Sequence, residues 1–151
     1  MGYTHYLYTA LELDKEKFKA VVQDFRKVLP NFEHLLGTYN GLSGKPFISN
    51  SEIGFNGIGE NSHETFVITR RNKKQSFQKE DQDKAFSFCK TARKPYDIAV
   101  TSCLIIVKHH FGDQVKVSSD GDYIEWDDAM TLCQKTLGYG TDFKFDREIE
   151  T

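Results

Sequence analysis

The sequence lacks the features that assign an activity at sight. It contains no P-loop, no Rossmann glycine fingerprint, no Gly-x-Ser-x-Gly and no His-Glu-x-x-His, so nothing in it announces phosphate-loop, dinucleotide, serine-hydrolase or zinc-protease chemistry. Cysteine is scarce. Cys89, Cys103 and Cys133 are odd in number and far apart, which makes neither a disulfide framework nor a zinc pattern. Their apolar helical settings make them buried thiols, and a reducing, cytoplasmic compartment is expected. No apolar run is long enough to cross a bilayer: residues 98–107 come nearest, and they include Thr101 and Ser102. The N-terminus turns polar at once, so no signal peptide and no membrane partner are expected. Repeats, low-complexity segments and domain linkers are lacking too. Nor does either sign of charge dominate. Lys and Arg number 20 against 22 Asp and Glu, a formal net charge of −2, which argues against direct binding of nucleic acid by the chain as a whole.

What is present is the pattern of one globular domain over residues 1–151, long enough to bury a sizeable core. Residues 3–13 alternate and are rich in aromatics and Thr, which predicts a strand. Asp14 then caps a helix whose apolar stripe is Phe18, Val21, Val22, Phe25, Val28 and Leu29, ended by Pro30. A connection follows, with a helical turn at residues 32–36. Residues 51–57 and 63–71 read as partner strands, and residues 71–83 as a polar, mobile loop. Phe86 and Phe88 fit either a brief strand or a helical turn. Residues 95–111 are apolar on every side, so that helix should be sandwiched. A short strand at Val115 and Val117 follows. A third, amphipathic helix carries Trp126, Ala129, Met130, Cys133 and Leu137 and is closed by Gly138. The tail, residues 139–151, adds an edge strand at Phe143 and Phe145 or frays at its acidic end. The order β-α-β-β-α-β-α predicts an α+β fold: a small, mostly antiparallel sheet with helices packed on one face.

The charge is unevenly placed. Residues 70–94 are rich in Lys and Arg, whereas the chain after Gly112 is acidic. The segment Lys90-Thr91-Ala92-Arg93-Lys94-Pro95-Tyr96-Asp97 leads into the central helix, with Pro95 suited to its first turn. Cations at a helix N-terminus oppose the dipole and cost up to about 1 kcal/mol each unless an anion compensates. Lys90, Thr91, Arg93, Lys94 and the helix N–H groups therefore have the parts of a phosphate or carboxylate cradle. Tyr96 is placed to stack on a base or bond a ribose. The competing account is internal neutralisation by Asp97, Asp120, Asp122 or Glu125.

Other candidates are weaker. On the first strand Tyr3, His5, Leu7 and Thr9 face one way and Thr4, Tyr6, Tyr8 and Ala10 the other. Either aromatic face could line a pocket for a planar ring. His63-Glu64-Thr65 has the His-x-Thr form of two-histidine phosphoesterases, where His acts as acid or base. The second pair that chemistry needs is missing, since His5 is followed by Tyr6 and Leu7. His109, His110 and Asp113 suggest a metal, but adjacent helical positions point about 100° apart, so helix-end charge is the better account. Neither metal nor cofactor is expected. Ser118-Ser119-Asp120-Gly121-Asp122 could offer Asp120 or Asp122 to a sugar, or serve as an ordinary capped turn.

The opening Met1-Gly2-Tyr3-Thr4-His5-Tyr6, the segment from Phe88 to Asp97 and Ser118-Ser119-Asp120-Gly121 together resemble a group of small uncharacterised proteins of bacteriophages and bacteria. The resemblance implies a setting, a phage-type accessory protein in a bacterial cytoplasm, but carries no activity over. The expectation is a binding module for a phosphate-bearing, nucleotide-like small molecule, in that setting a sequestered immune signal. Its site would be Lys90, Thr91, Arg93, Lys94, Tyr96, Tyr3, His5, Tyr6, Asp120 and Asp122. One alternative is an enzyme cleaving a phosphodiester or glycosidic bond of a nucleotide, with His63 or His5 as acid–base. Another is a protein-interaction module whose basic loop, residues 70–84, docks an acidic host partner. A homo-oligomer is compatible with each.

Overall fold

A computed structural model describes residues 2–146. The strands form two antiparallel sheets of three strands each, not a single sheet. In the first, β1 (Thr4–Ala10) lies between β5 (Lys84–Lys90) and β6 (Val115–Ser119). In the second, β3 (Glu52–Phe55) lies between β2 (Phe47–Ile48) and β4 (Phe66–Thr69). Residues 11–13 do not extend β1's pairing with β5 and β6. They cross to the second sheet, where Leu13 N–H donates to Arg70 C=O (2.8 Å) and Asn72 N–H to Leu11 C=O (2.8 Å).

Three helices complete the fold: α1 (Lys15–Val28), α2 (Asp97–Phe111) and α3 (Asp127–Leu137). Asp14 caps α1 by accepting the Lys17 N–H at 2.9 Å, and the stripe from Phe18 to Val28 is buried. α2 contacts α1, α3 and β6, which explains why it is apolar all round: almost every residue from Ala99 to Val107 is buried. It begins at Asp97 with Tyr96 as N-cap. Pro95 thus sits in the preceding turn rather than in the helix, because residues 91–94 already form a turn that carries the chain over the top of α2. Gly138 ends α3 in the left-handed conformation (φ 86°) that glycine adopts without a Cβ clash.

Several expected boundaries shift. His63 and Thr65 lie before β4, not in it. Asn56 takes that stretch instead: its amide accepts the His63 N–H (3.0 Å) and donates to the His63 C=O (2.9 Å) and to Thr65 Oγ1 (3.2 Å). Residues 139–146 form no strand, although Phe143 and Phe145 are buried and pack on Trp126. Asp146 closes the open edge of β6 in their place: its N–H donates to Val117 C=O (2.8 Å) and its carboxylate accepts the Val117 N–H (2.8 Å). The rest of the expected acidic tail, residues 147–151, lies outside the described residues.

The loop after β4 is organised rather than loose. The Lys74 ammonium donates to the carbonyls of Lys79, Glu80 and Gln82 at 3.0–3.2 Å. Gln78 reaches the edge of β5, accepting the Phe86 N–H (2.9 Å) and donating to the Lys84 C=O (2.8 Å). At the far end Glu64 accepts the Lys90 N–H (2.7 Å). Side chains therefore occupy much of the edge of β5, which blunts strand addition there. Among the described residues no helix is long and apolar enough to cross a membrane.

Candidate functional site

Register decides which expected residues meet. In β1 the odd-numbered side chains point into the core and the even-numbered ones outward. His5 pairs with Cys89 and Ser119, and Tyr6 with Phe88 and Ser118. The turn from β5 to α2 and the turn after β6 consequently lie at the same end of the first sheet. Tyr3, His5, Tyr6, Lys90, Thr91, Arg93, Lys94, Asp120 and Asp122 thus gather in one region.

The inner side of this region is a closed polar network. His5 is 2% exposed, with Nε2 at 2.7 Å from Asp97 Oδ1 and Nδ1 at 2.8 Å from Ser119 Oγ. A carboxylate only accepts, so Nε2 carries a proton. Thr91 donates its hydroxyl to the same Asp97 oxygen (2.5 Å). Ser119, His5 and Asp97 have the composition of a nucleophilic triad, but the serine oxygen is saturated. It accepts the Gly121 N–H (2.9 Å) and the Trp126 Nε1–H (3.3 Å), which uses both of its acceptor positions. No lone pair is left to attack a substrate, and Trp126 and Tyr3 pack edge-on against the His5 ring (5.2 and 5.0 Å). The arrangement ties β1, β6, α2 and the start of α3 together. Beside it lies a cavity of only about 20 Å³, lined by His5, Leu7, Cys89 and Leu104 among others, room for about one water.

For Arg93 the cation conflict at α2 is resolved internally. Arg93 forms a two-point pair with Glu125, Nε to Oε2 at 2.8 Å and Nη2 to Oε1 at 3.4 Å. Its guanidinium lies 4.2 Å from the centre of the Tyr3 ring, a cation–π contact. The hydrogen bond to Glu125, with that carboxylate's charge, holds the Arg93 pKa above its ordinary value. Asp97 supplies a negative charge in the first turn of α2, where the dipole favours one. The N–H groups of Asp97, Ala99 and Val100 bond to the carbonyls of Lys94 and Tyr96. Thr91, Arg93 and these N–H groups of the expected cradle are therefore taken by the protein's own groups. Ala92 and Arg93 both adopt left-handed conformations (φ 54° and 58°), and Lys94 N–H closes the turn on Thr91 C=O (3.0 Å). That backbone is costly for residues bearing a Cβ, and the Arg93 contacts offset it.

Other expected ligand groups are also committed. Tyr96 is fully buried and donates its hydroxyl to the Glu64 C=O, so it is a core residue rather than a stacking surface. Burial, with the Asp97 and Glu125 charges, pushes the Tyr3 phenol up to about 12. Asp120 accepts the Thr4 N–H (3.0 Å) and the Tyr6 hydroxyl (2.9 Å). Asp122 accepts the Glu125 N–H (3.0 Å), the capped-turn role. His63 is exposed, with no partner pair on a facing strand. His109 stacks on Tyr139 (3.5 Å, 6° between planes) while His110 bonds Asp24 (2.8 Å). Among the described residues no group of His, Cys, Asp and Glu is placed to hold a metal ion. The cysteines are buried and unbridged, and burial raises the Cys89 thiol to about 12 and the Cys133 thiol to about 11.

Gly121 makes the closed network feasible. A Cβ there would sit 2.2 Å from the Tyr3 hydroxyl and 2.9 Å from its ring. Gly121→Ala is expected to destabilise the protein by about 1–3 kcal/mol through overpacking, read as a lower urea midpoint. A loss below about 0.5 kcal/mol would show that Tyr3 is not tightly seated there.

No family model matches the chain, and comparison with curated proteins and with solved structures likewise finds no match.

The open chemistry lies on the other face of the same sheet. Across the register, Tyr8 is flanked by Phe86 and Lys116, Tyr6 by Phe88 and Ser118, Thr4 by Lys90 and Ala10 by Lys84. The rings touch: Phe86 lies 4.9 Å from Tyr8, 6.5 Å from Tyr6 in a parallel arrangement and 5.9 Å from Phe88. Phe77 from the loop stands edge-on to Phe86 at 6.1 Å. Phe88 is 57% exposed and Phe77 72%, an exposed aromatic cluster of the kind that marks a binding surface. The signal was in the sequence as the alternation Lys84-x-Phe86-x-Phe88-x-Lys90, but a run that short fits a strand or a helical turn equally well.

Proposed function

We propose that this chain is a binding module for a phosphate-bearing, nucleotide-like ligand, and that the ligand sits on the outward face of the β5-β1-β6 sheet. A planar ring stacks on Phe88 and Tyr6, and the phosphate meets Lys90 and Lys94. The observation that carries this is the exposed Phe88, paired across the strands with half-buried Tyr6 and one outward position from Lys90. Aromatic faces and an ammonium at that separation suit a base and its phosphate. Lys90 and Lys94 form no ion pair among the described residues, in contrast to Arg93. The Lys90 side chain crosses Gly2, where a Cβ would come within 2.5 Å of its Cε. Of the residues expected from sequence, Tyr6, Lys90 and Lys94 belong to this site, while Tyr3, His5, Thr91, Arg93 and Tyr96 support it from beneath. The resemblance to phage proteins suits a role in sequestering a nucleotide signal in a bacterial host.

Binding without turnover is the better reading, because His5 is enclosed and His63 stands alone. Calorimetry against a panel of nucleotides and cyclic nucleotides tests it. Binding should fall about tenfold or more in Phe88→Ala and markedly in Lys90→Ala, and the ligand should be recovered intact after the protein is denatured. Silence across the panel would sink the proposal, and a cleaved product would replace it with the enzymatic alternative.

A further inference from the structure

We propose that the second sheet carries a separate site for a small organic cation, an alkylammonium or quaternary ammonium compound, seated between Tyr39, Phe47 and Glu52. Glu52 and Gly54 share one face of β3, and Phe47 of β2 lies opposite Gly54 on that face. Gly54 leaves room for a ring: a Cβ there would come within 2.3 Å of three atoms at the phenol end of Tyr39. Tyr39 reaches this place from a fastened turn. Thr38 N–H donates to Leu42 C=O (2.9 Å), and the Thr65 hydroxyl donates to Tyr39 C=O (2.5 Å). The Tyr39 hydroxyl donates in turn to Glu52 Oε2. The Phe47 ring stands 6.3 Å away at 84° to the Tyr39 ring. Phe47 is 51% exposed and lies outside the hydrophobic core, so core packing does not account for it.

These groups wall an open pocket of about 350 Å³, lined by Thr38, Tyr39, Asn40, Lys45, Phe47 and Glu52, a volume that suits a small molecule. The choice of a cation rests on charge complementarity. Glu52 is half-buried and forms no ion pair among the described residues. Burial, then the hydrogen bond to Glu52, pushes the Tyr39 phenol above its ordinary pKa, so the phenol keeps its proton and the carboxylate beside it keeps its charge. Aromatic faces are negative and attract a cation set over them. Two rings at a right angle beside a carboxylate therefore suit a cation with apolar substituents: its methyl groups meet the rings and its charge meets Glu52. An anion would be repelled by Glu52, and a neutral ring would leave the carboxylate unanswered. Lys45 is the one cation that lines the pocket. It is exposed and makes no ion pair with Glu52, so it stands at the rim rather than in the seat.

The test is titration of the full chain, followed by NMR amide shifts, with tetramethylammonium and choline, with 3,3-dimethylbutanol as the neutral isostere of choline, and with a peptide bearing trimethyllysine. Choline should bind about fivefold or more tightly than its neutral isostere, with the largest shifts around residues 38–54. Glu52→Gln, which keeps an acceptor for the Tyr39 hydroxyl, and Phe47→Leu, which keeps apolar bulk without a π face, should each weaken choline about fivefold or more. Unchanged melting curves verify the fold of both variants. Lys45→Ala should leave choline binding equal or tighter. Equal binding of choline and its isostere would overturn the proposal in favour of a plain apolar pocket. Choline binding that appears in Lys45→Ala but not in wild type would show that the chain's own lysine fills the seat, and would overturn it too. A peptide that binds about tenfold more tightly than choline would replace the small cation with a protein partner, and self-association lost in Phe47→Leu without cation binding would replace it with a second copy. Silence from every probe in every variant would overturn it outright, and none of these results bears on the nucleotide reading of the first sheet.

Discussion

Replacing Trp126 with alanine lowers the stability of this fold by about 4 kcal/mol, in the range of large aromatic truncations in cores. Trp126 is fully buried. Its ring lies parallel to Phe143 at 5.0 Å and meets Phe145 (5.0 Å) and His5 (5.2 Å) edge-on. The loss therefore has several parts: a cavity, two phenylalanines without their platform, and a Ser119 oxygen without the indole donor. Trp126→Phe keeps most of the ring contacts and loses the N–H, so it should cost far less, on the order of 1–2 kcal/mol. Urea unfolding followed by circular dichroism is the measurement, since this is the only tryptophan and fluorescence disappears with it. A Trp126→Ala loss under about 1 kcal/mol would mean that the tail does not pack on this ring.

Asp97→Ala should cost about 3 kcal/mol. The carboxylate accepts from His5 Nε2 and Thr91 Oγ1, and the His5 side chain is 1% exposed. Removing the acceptor strands a buried ring nitrogen, and a buried donor with no partner costs more than a bond is worth on balance. A smaller part, about 0.3–1 kcal/mol, is the lost charge at the N-terminus of α2. A double-mutant cycle with His5→Ala separates the two: the coupling energy should exceed about 1 kcal/mol if the side chains act as a unit. Asp97→Asn, which keeps one acceptor oxygen, should fall between wild type and alanine. Because the network lies beneath the sheet and the proposed ligand above it, either variant that still folds should bind much as wild type does. A variant that is stable yet unable to bind would move the site to the inner face.

Local and periodic features of this protein were legible in its residues. The Asp14 cap with the stripe from Phe18 to Leu29 specifies α1, the all-round apolar character of residues 98–107 requires a sandwiched helix, and Gly138 stops α3. The alternation of Tyr3 to Ala10 defines a strand with two different faces. Each depends on neighbours within a few residues, where sequence spacing and spatial spacing are the same quantity. The α+β class follows from those elements.

Pairings between distant residues were not legible, and they moved the candidate site. Nothing in the Lys90–Asp97 segment says that Arg93 meets Glu125, that Tyr96 turns inward to Glu64, or that Asp97 meets His5. Arg93, which looked destined for an external anion, found an internal one in Glu125. Residues 11–13 look like more of β1, yet they pair with the second sheet, because strand partners are chosen by burial across the whole fold and not by the strand itself. The sequence by itself therefore determined the helices, the two-faced first strand and the clustering of cations. Tertiary structure alone decided which face of that strand is sealed around His5 and which sets half-buried Tyr6, Tyr8 and Phe86 beside the exposed Phe88. The physical reason is register: one residue's shift in the pairing of β5 against β1 would exchange the buried and the presented side chains.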